Sequence, residues 1–167
     1  SNWQKAEYFP NSEVYSTRDK KKLAVAKALH PLKGQILLQG ESGLGKTMFL
    51  RNVAASSKRI IAYLPASKCT TGLIPAIQQK VHGAAADPNF LQQLIYAGAI
   101  DILIDGLNEI SARACAQLTL EIERYFKGNL LLTSQPMEWE PPSSAKRYEL
   151  RPLSEPQIEA FLLSRYS

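Results

Sequence analysis

The sequence predicts an α/β fold of three layers: a mostly parallel five-stranded sheet with helices on both faces. Two observations predict it. Strand-length apolar segments alternate with helix-length amphipathic ones, and the strand segments are apolar at nearly every position. A strand that is apolar throughout is buried on both faces, and strands separated by helices are joined by crossovers that make them parallel. A third observation, a glycine-rich loop between the first such strand and the helix after it, marks where the fold does its chemistry.

The elements follow in order. Thr17 to Leu29 reads as a helix, with Leu23, Ala26 and Leu29 on one face and Pro31 and Gly34 to stop it. Gln35 to Gln39 is a short apolar strand, and Lys46 to Ser56 has helical periodicity through Phe49, Leu50 and Val53. Arg59 to Leu64 is a second strand, closed by Pro65. Leu73 to Val81 and Phe90 to Ala97 read as short helices, divided by Asp87 and Pro88. Ile100 to Ile104 is the third and most apolar strand. Ser111 to Phe126 is a long amphipathic helix, because Ala114, Leu118, Ile122 and Tyr125 fall three or four apart. Leu130 to Ser134 and Lys146 to Leu150 supply the last two strands, with a proline-rich loop over Met137 to Ser144 between them. Ser154 and Gln157 have capping-box spacing ahead of a final helix.

At 167 residues the chain has the length of one compact domain, and 45% apolar residues are enough for a core. No segment approaches the ~20 apolar residues of a membrane helix, and no secretory leader opens the sequence. Cys69 and Cys115 are far apart and share no ligand-like spacing, so they read as small apolar residues in a reducing cytoplasm. His30 and His82 stand alone and read as helix-end or surface residues. The net charge of +5 raises the question of nucleic acid. Its one dense basic run, Lys20 to Lys22, has no aromatic residues interleaved and reads as a solvated helix face.

Gly40-Glu41-Ser42-Gly43-Leu44-Gly45-Lys46-Thr47 fits G-x-x-x-x-G-K-[ST] at every fixed position. From average residue usage, one chance match in such a chain is on the order of 1%. The chemistry needs this pattern. A helix N-terminus offers unpaired N–H groups and partial positive charge to an anion. The glycines let the chain wrap closely around phosphates, so that successive N–H groups from Gly43 to Thr47 point inward. Lys46 then reaches the β and γ phosphates, and the Thr47 hydroxyl faces magnesium. The expected nucleotide-contacting set runs from Gly40 through Met48, with Thr133 joining from the fourth strand.

Magnesium needs a second anchor, usually an aspartate at the end of a neighbouring strand. Asp105 directly follows Ile102-Leu103-Ile104 and stands where that carboxylate belongs, whereas Asp101 lies at the other end of the strand. Glu109, four residues on, is the expected general base, and Asn108 is the alternative for orienting the attacking water. The catalytic set is thus Lys46, Asp105 and Glu109, and the metal set Thr47 and Asp105.

The segment Leu103-Ile104-Asp105-Gly106-Leu107-Asn108-Glu109 resembles the NACHT group of STAND NTPases, where an apolar run leads into D-G-x-D-E. Thr133-Ser134-Gln135-Pro136 resembles the family's T-S-R-P, and Leu153-Ser154-Glu155-Pro156-Gln157-Ile158 its L-S-x-x-x-I. The likeness runs from Gly34 to about Tyr166. It implies a cytoplasmic ATP/ADP switch with slow hydrolysis, excised from a larger protein whose further domains sense a ligand. In such a protein residues 1–30 are a lead-in segment and helix, and nucleotide exchange governs self-assembly. Two departures bear on turnover. Gln135 stands where the family has an arginine and cannot neutralise developing charge, and Asn108 replaces the more usual aspartate. An AAA+-type remodelling ATPase and a nucleotide-binding scaffold without hydrolysis remain open beside the switch. Adenine is preferred by default, since no N-K-x-D guanine signature appears.

Overall fold

A computed structural model of the chain describes residues 13–16, 20–24, 34–41, 46–80, 87–126, 128–137, 145–151 and 155–166. Seven strands form one sheet: β1 (Glu13–Ser16), β2 (Lys21–Ala24), β3 (Gln35–Gln39), β4 (Ile60–Pro65), β5 (Ile100–Asp105), β6 (Leu130–Ser134) and β7 (Lys146–Leu150). Among the described residues five α-helices accompany them: α1 (Lys46–Ser56), α2 (Leu73–Gln78), α3 (Pro88–Tyr96), α4 (Ala112–Tyr125) and α5 (Glu155–Tyr166). The strand order is β2-β1-β7-β3-β6-β5-β4.

The five expected strands form the parallel body β7-β3-β6-β5-β4. The other two correct the expected helix over Thr17 to Leu29. Residues 13–16 and 21–24 are an antiparallel hairpin, and β1 also pairs antiparallel with β7. A periodic pattern of three apolar residues is a weak local signal, and β7 would otherwise present an open edge. Pairing carries Val14 and Ser16 into the interior, with Val14 opposite Leu150. Lys20 N–H closes the turn on Ser16 O at 2.8 Å, and Lys20 takes φ 53°. Lys20, Lys21 and Lys22 therefore lie on a turn and an exposed edge strand, where charge discourages further strand addition. Residues 17–19 and 25–33, with His30 among them, lie outside the described part, as do His82, Ser154 and most of the 137–144 loop.

Local chemistry sets the helix starts. Asp87 accepts the Phe90 N–H at 2.9 Å with Pro88 in the first turn, so α3 begins two residues before the expected Phe90. Ser111 accepts the Ala114 N–H at 3.1 Å and opens α4. The α4 stripe of Cys115, Leu118 and Ile122 is buried.

Two cores flank the sheet. Leu50 of α1 packs with Ile36, Leu38, Leu103, Leu131 and Tyr148 on one face. On the other, Leu73, Ile77, Leu91, Ile95, Leu118 and Ile122 from α2, α3 and α4 pack on Leu37, Leu64, Ile102 and Ile104. Each fully buried Leu or Ile side chain contributes about 1.5–3 kcal/mol. Alternation along β5 thus sends Ile100, Ile102 and Ile104 to one core and Leu103 to the other, with Asp101 and Asp105 on the Leu103 face. At Gly128 the chain passes so close to β5 that a Cβ would stand 2.8 Å from Ile100 O, which only glycine avoids. Among the described residues no helix is long and apolar enough to cross a membrane.

Candidate functional site

Three strand ends and one helix start converge at the carboxyl edge of the parallel sheet, the edge where open α/β sheets bind ligands. Register does the first part. Gln39 stands beside Ser134, and the ladder runs on by one bond from Gly40 N–H to Ser134 O at 3.1 Å. Ile104 stands beside Leu132, which brings Asp105 alongside Thr133. The end of β6 is therefore interposed between the glycine loop and the acidic strand.

Asp105 is the hub. Its Oδ2 accepts the Thr47 hydroxyl at 2.8 Å and the Tyr63 hydroxyl at 2.8 Å, and its Oδ1 accepts the Thr133 hydroxyl at 2.5 Å. Thr133 Oγ1 in turn accepts the Gly106 N–H at 3.1 Å, so its hydroxyl, fully buried, holds the aspartate and the following turn together. Among the described residues no cation lies within ion-pairing distance of Asp105. The Thr47 bond joins α1 to the end of β5 across 58 residues of sequence and brings the two residues of the expected metal set together.

Lys46 is half-buried, and its Nζ donates to Gly40 O at 2.6 Å and Glu41 O at 2.8 Å. Burial lowers its pKa, partly opposed by the charges of Asp105 and Glu41. A partly desolvated ammonium bonded only to neutral carbonyls gains from an arriving anion. Gly40 and Glu41 flank this contact. Ser42, Gly43, Leu44 and Gly45 lie outside the described residues, and Met48 falls in the first turn of α1.

Glu109 ends a short 3-10 turn, Leu107–Glu109, entered through Gly106 at φ 80°. Leu107 is buried and pins the turn, while Glu109 is exposed. The Glu109 carboxyl folds back over Gly106, where a Cβ would meet it at 3.0–3.2 Å. The glycine after Asp105 thus serves both the left-handed turn and the room for Glu109. Asn108, the alternative for orienting the water, accepts the Gln135 N–H on its Oδ1 at 3.0 Å and ties the turn to the end of β6.

The sequence reading missed Tyr63. It stands on β4, opposite Leu103, and burial together with its bond to Asp105 pushes its phenol up to about 12. Its strand and face follow from alternation, but only the sheet order makes β4 the neighbour of β5. Asp101, at the far end of β5, is buried against Arg59 and Asn129 and has no share in this site. A cleft of about 540 Å³ between residues 69–75 and α4 is lined by none of the candidate residues.

The donor set tests the expected metal. Thr47 and Asp105 offer only hard oxygen ligands, and the Thr47 hydroxyl donates its hydrogen toward Asp105, leaving its own oxygen lone pairs for a cation. That fits magnesium, which takes one or two protein oxygens beside phosphate and water.

No family model matches the sequence, and no curated protein does. Among solved structures 262 chains match. One is the RuvB Holliday junction branch migration motor of Thermotoga maritima, with a TM-score of 0.50 and 15% identity over 82% of this chain. The match covers 44% of that motor's chain, so this chain spans less than half its length. At that identity the likeness concerns the fold, which is that of a P-loop NTPase.

Proposed function

We propose that this chain binds Mg-ATP and acts as a slow nucleotide-dependent switch of the NACHT-type STAND class. The observation that carries the reading is the Thr47–Asp105 hydrogen bond, which couples the glycine loop to the acidic strand. Lys46 would hold the β and γ phosphates, and Thr47 with Asp105 would hold the magnesium. When bound, that ion supplies charge neutralisation to the triphosphate. Glu109 is exposed beside the site and serves as general base, taking a proton from water at its carboxylate. The D-G-L-N-E order supports the NACHT-type assignment, and the turn geometry gives it a reason: Gly106 makes the bend, Asn108 anchors it and Glu109 is exposed.

Slow turnover follows from Gln135. Its backbone is fixed by Asn108, and a neutral side chain at that position supplies no charge to the transferred phosphate. We extend the reading to further domains of a parent protein and nucleotide-governed self-assembly on the resemblance alone.

Calorimetric titration with ATP and ADP, with and without magnesium, followed by phosphate release over hours, tests the reading. Magnesium-enhanced ATP binding with turnover of minutes or slower is the expected result. Fast multiple turnover would favour a remodelling motor. Glu109→Gln keeps ATP affinity and loses turnover; unaltered turnover removes Glu109 from the role of base.

A further inference from the structure

The geometry points to Tyr63 as a positioning residue for magnesium: its hydroxyl fixes the orientation of Asp105 and thereby sets how strongly magnesium supports nucleotide binding. The inference rests on the reading of the site as an Mg-ATP site. A carboxylate has about four lone-pair directions. At Asp105 three are filled by hydroxyls, two on Oδ2 and one on Oδ1. The three donors come from three elements, α1, β4 and β6, so they fix the carboxylate plane as well as its position. Among the described residues no donor takes the fourth direction, on Oδ1.

The three hydroxyls are not equivalent. Thr47 belongs to the loop that would carry the nucleotide, and Thr133 is committed to Gly106 as well. Tyr63 stands on a strand that contributes nothing else to the site, and β4 is held by its whole length against β5. Arg51, one turn beyond Thr47 on α1, faces the same phenol. Tyr63 is thus a fixed strut between the scaffold and a carboxylate that carries no cation partner among the described residues. Neutral struts of this kind hold a ligand oxygen in place without cancelling its charge. Losing an outer-shell partner of a metal ligand costs about 10–100-fold in metal affinity.

The test is ATP affinity of the full chain, titrated against magnesium concentration, for the parent protein, Tyr63→Phe, Asp105→Asn and the double variant. Phenylalanine removes only the hydroxyl from a half-buried ring. The expected result is an increase of about 10-fold in the magnesium needed for half-effect in Tyr63→Phe, with magnesium-free ATP affinity unchanged. In the Asp105→Asn background the same substitution should do nothing further. An unchanged magnesium requirement, even with a lower Tm, overturns the inference and leaves Tyr63 a packing residue. A lowered requirement also overturns it, since the hydroxyl would then compete with the ion. Equal shifts with and without Asp105 overturn it too. Parent protein that binds ATP with magnesium, beside an unresponsive Tyr63→Phe, fails the inference alone; parent protein that binds no ATP fails the site reading with it.

Discussion

Asp101 and Asp105 lie on one strand, on one face, four residues apart, and their surroundings differ in kind. Asp101 is 2% exposed and is closed off by charge: Arg59 Nε donates at 2.7 Å and Asn129 Nδ2 at 3.0 Å. Arg59 also reaches Gly98 O, and Asn129 Oδ1 accepts the Gly34 N–H at 2.8 Å, so the network fastens the amino ends of β3, β4, β5 and β6. Asp105 has three neutral hydroxyls and no cation partner among the described residues. The first carboxylate is met by a guanidinium and fastens strand starts together; the second is held by hydroxyls from three elements. On the proposed function, the same residue type serves structure at one end of β5 and chemistry at the other.

The largest effect that sharpens this contrast lies at the functional end. Lys46→Ala removes a charged donor worth about 1.5–3 kcal/mol, so the Kd for ATP should rise by roughly one to two powers of ten. Nucleotide-free stability should change by less than about 1 kcal/mol, because the lost bonds are to carbonyls at a partly solvated surface. Unchanged ATP affinity by calorimetry would sink the phosphate-loop assignment.

Asp101→Ala tests the structural end. It strands the Asn129 amide, opens space in a buried position and leaves Arg59 to rehydrate, at a cost of about 2–3 kcal/mol in urea unfolding. ATP affinity of the folded variant should hold.

Asp105→Asn should cost less, under about 1 kcal/mol, since the amide oxygen still accepts hydroxyls and no buried cation is orphaned. It should abolish the magnesium-dependent gain in ATP affinity. A stability loss as large as that of Asp101→Ala would erase the distinction between the two ends.

A further effect, local to one turn, concerns the residue after Asp105. Gly106→Ala forces a side chain to φ 80° and pushes a Cβ to within 3.0–3.2 Å of the Glu109 carboxyl. The strain is about 1–2 kcal/mol, and phosphate release should slow while ATP affinity stays close to that of the parent protein. Unaltered turnover would mean that the placement of Glu109 does not matter to the reaction.

The five parallel strands were legible because each is short, apolar throughout and separated from the next by a helical period. Five helices were legible to within a few residues. The hairpin was not. Its strands have four residues each, and Lys21-Lys22 carries none of the apolar alternation that marks a buried strand. Only the free edge of β7 makes it a strand. The glycine loop, Lys46, Thr47, Asp105 and Glu109 could be named from spacing, because phosphate and magnesium demand fixed residue types at fixed offsets from a strand and a helix.

The sequence by itself determined the fold class and the residues at the end of β3 and β5, since periodicity and loop chemistry are local in the chain. Tertiary structure alone decided that β6 lies between those two strands, that Thr133 and Tyr63 meet at Asp105, and that Asn108 ties its turn to the end of β6. The physical reason is that strand order is settled by which faces and edges best pair and bury. That competition runs between segments far apart in the chain, such as those of Gly34 and Asn129, 95 residues apart, and no local pattern records its outcome.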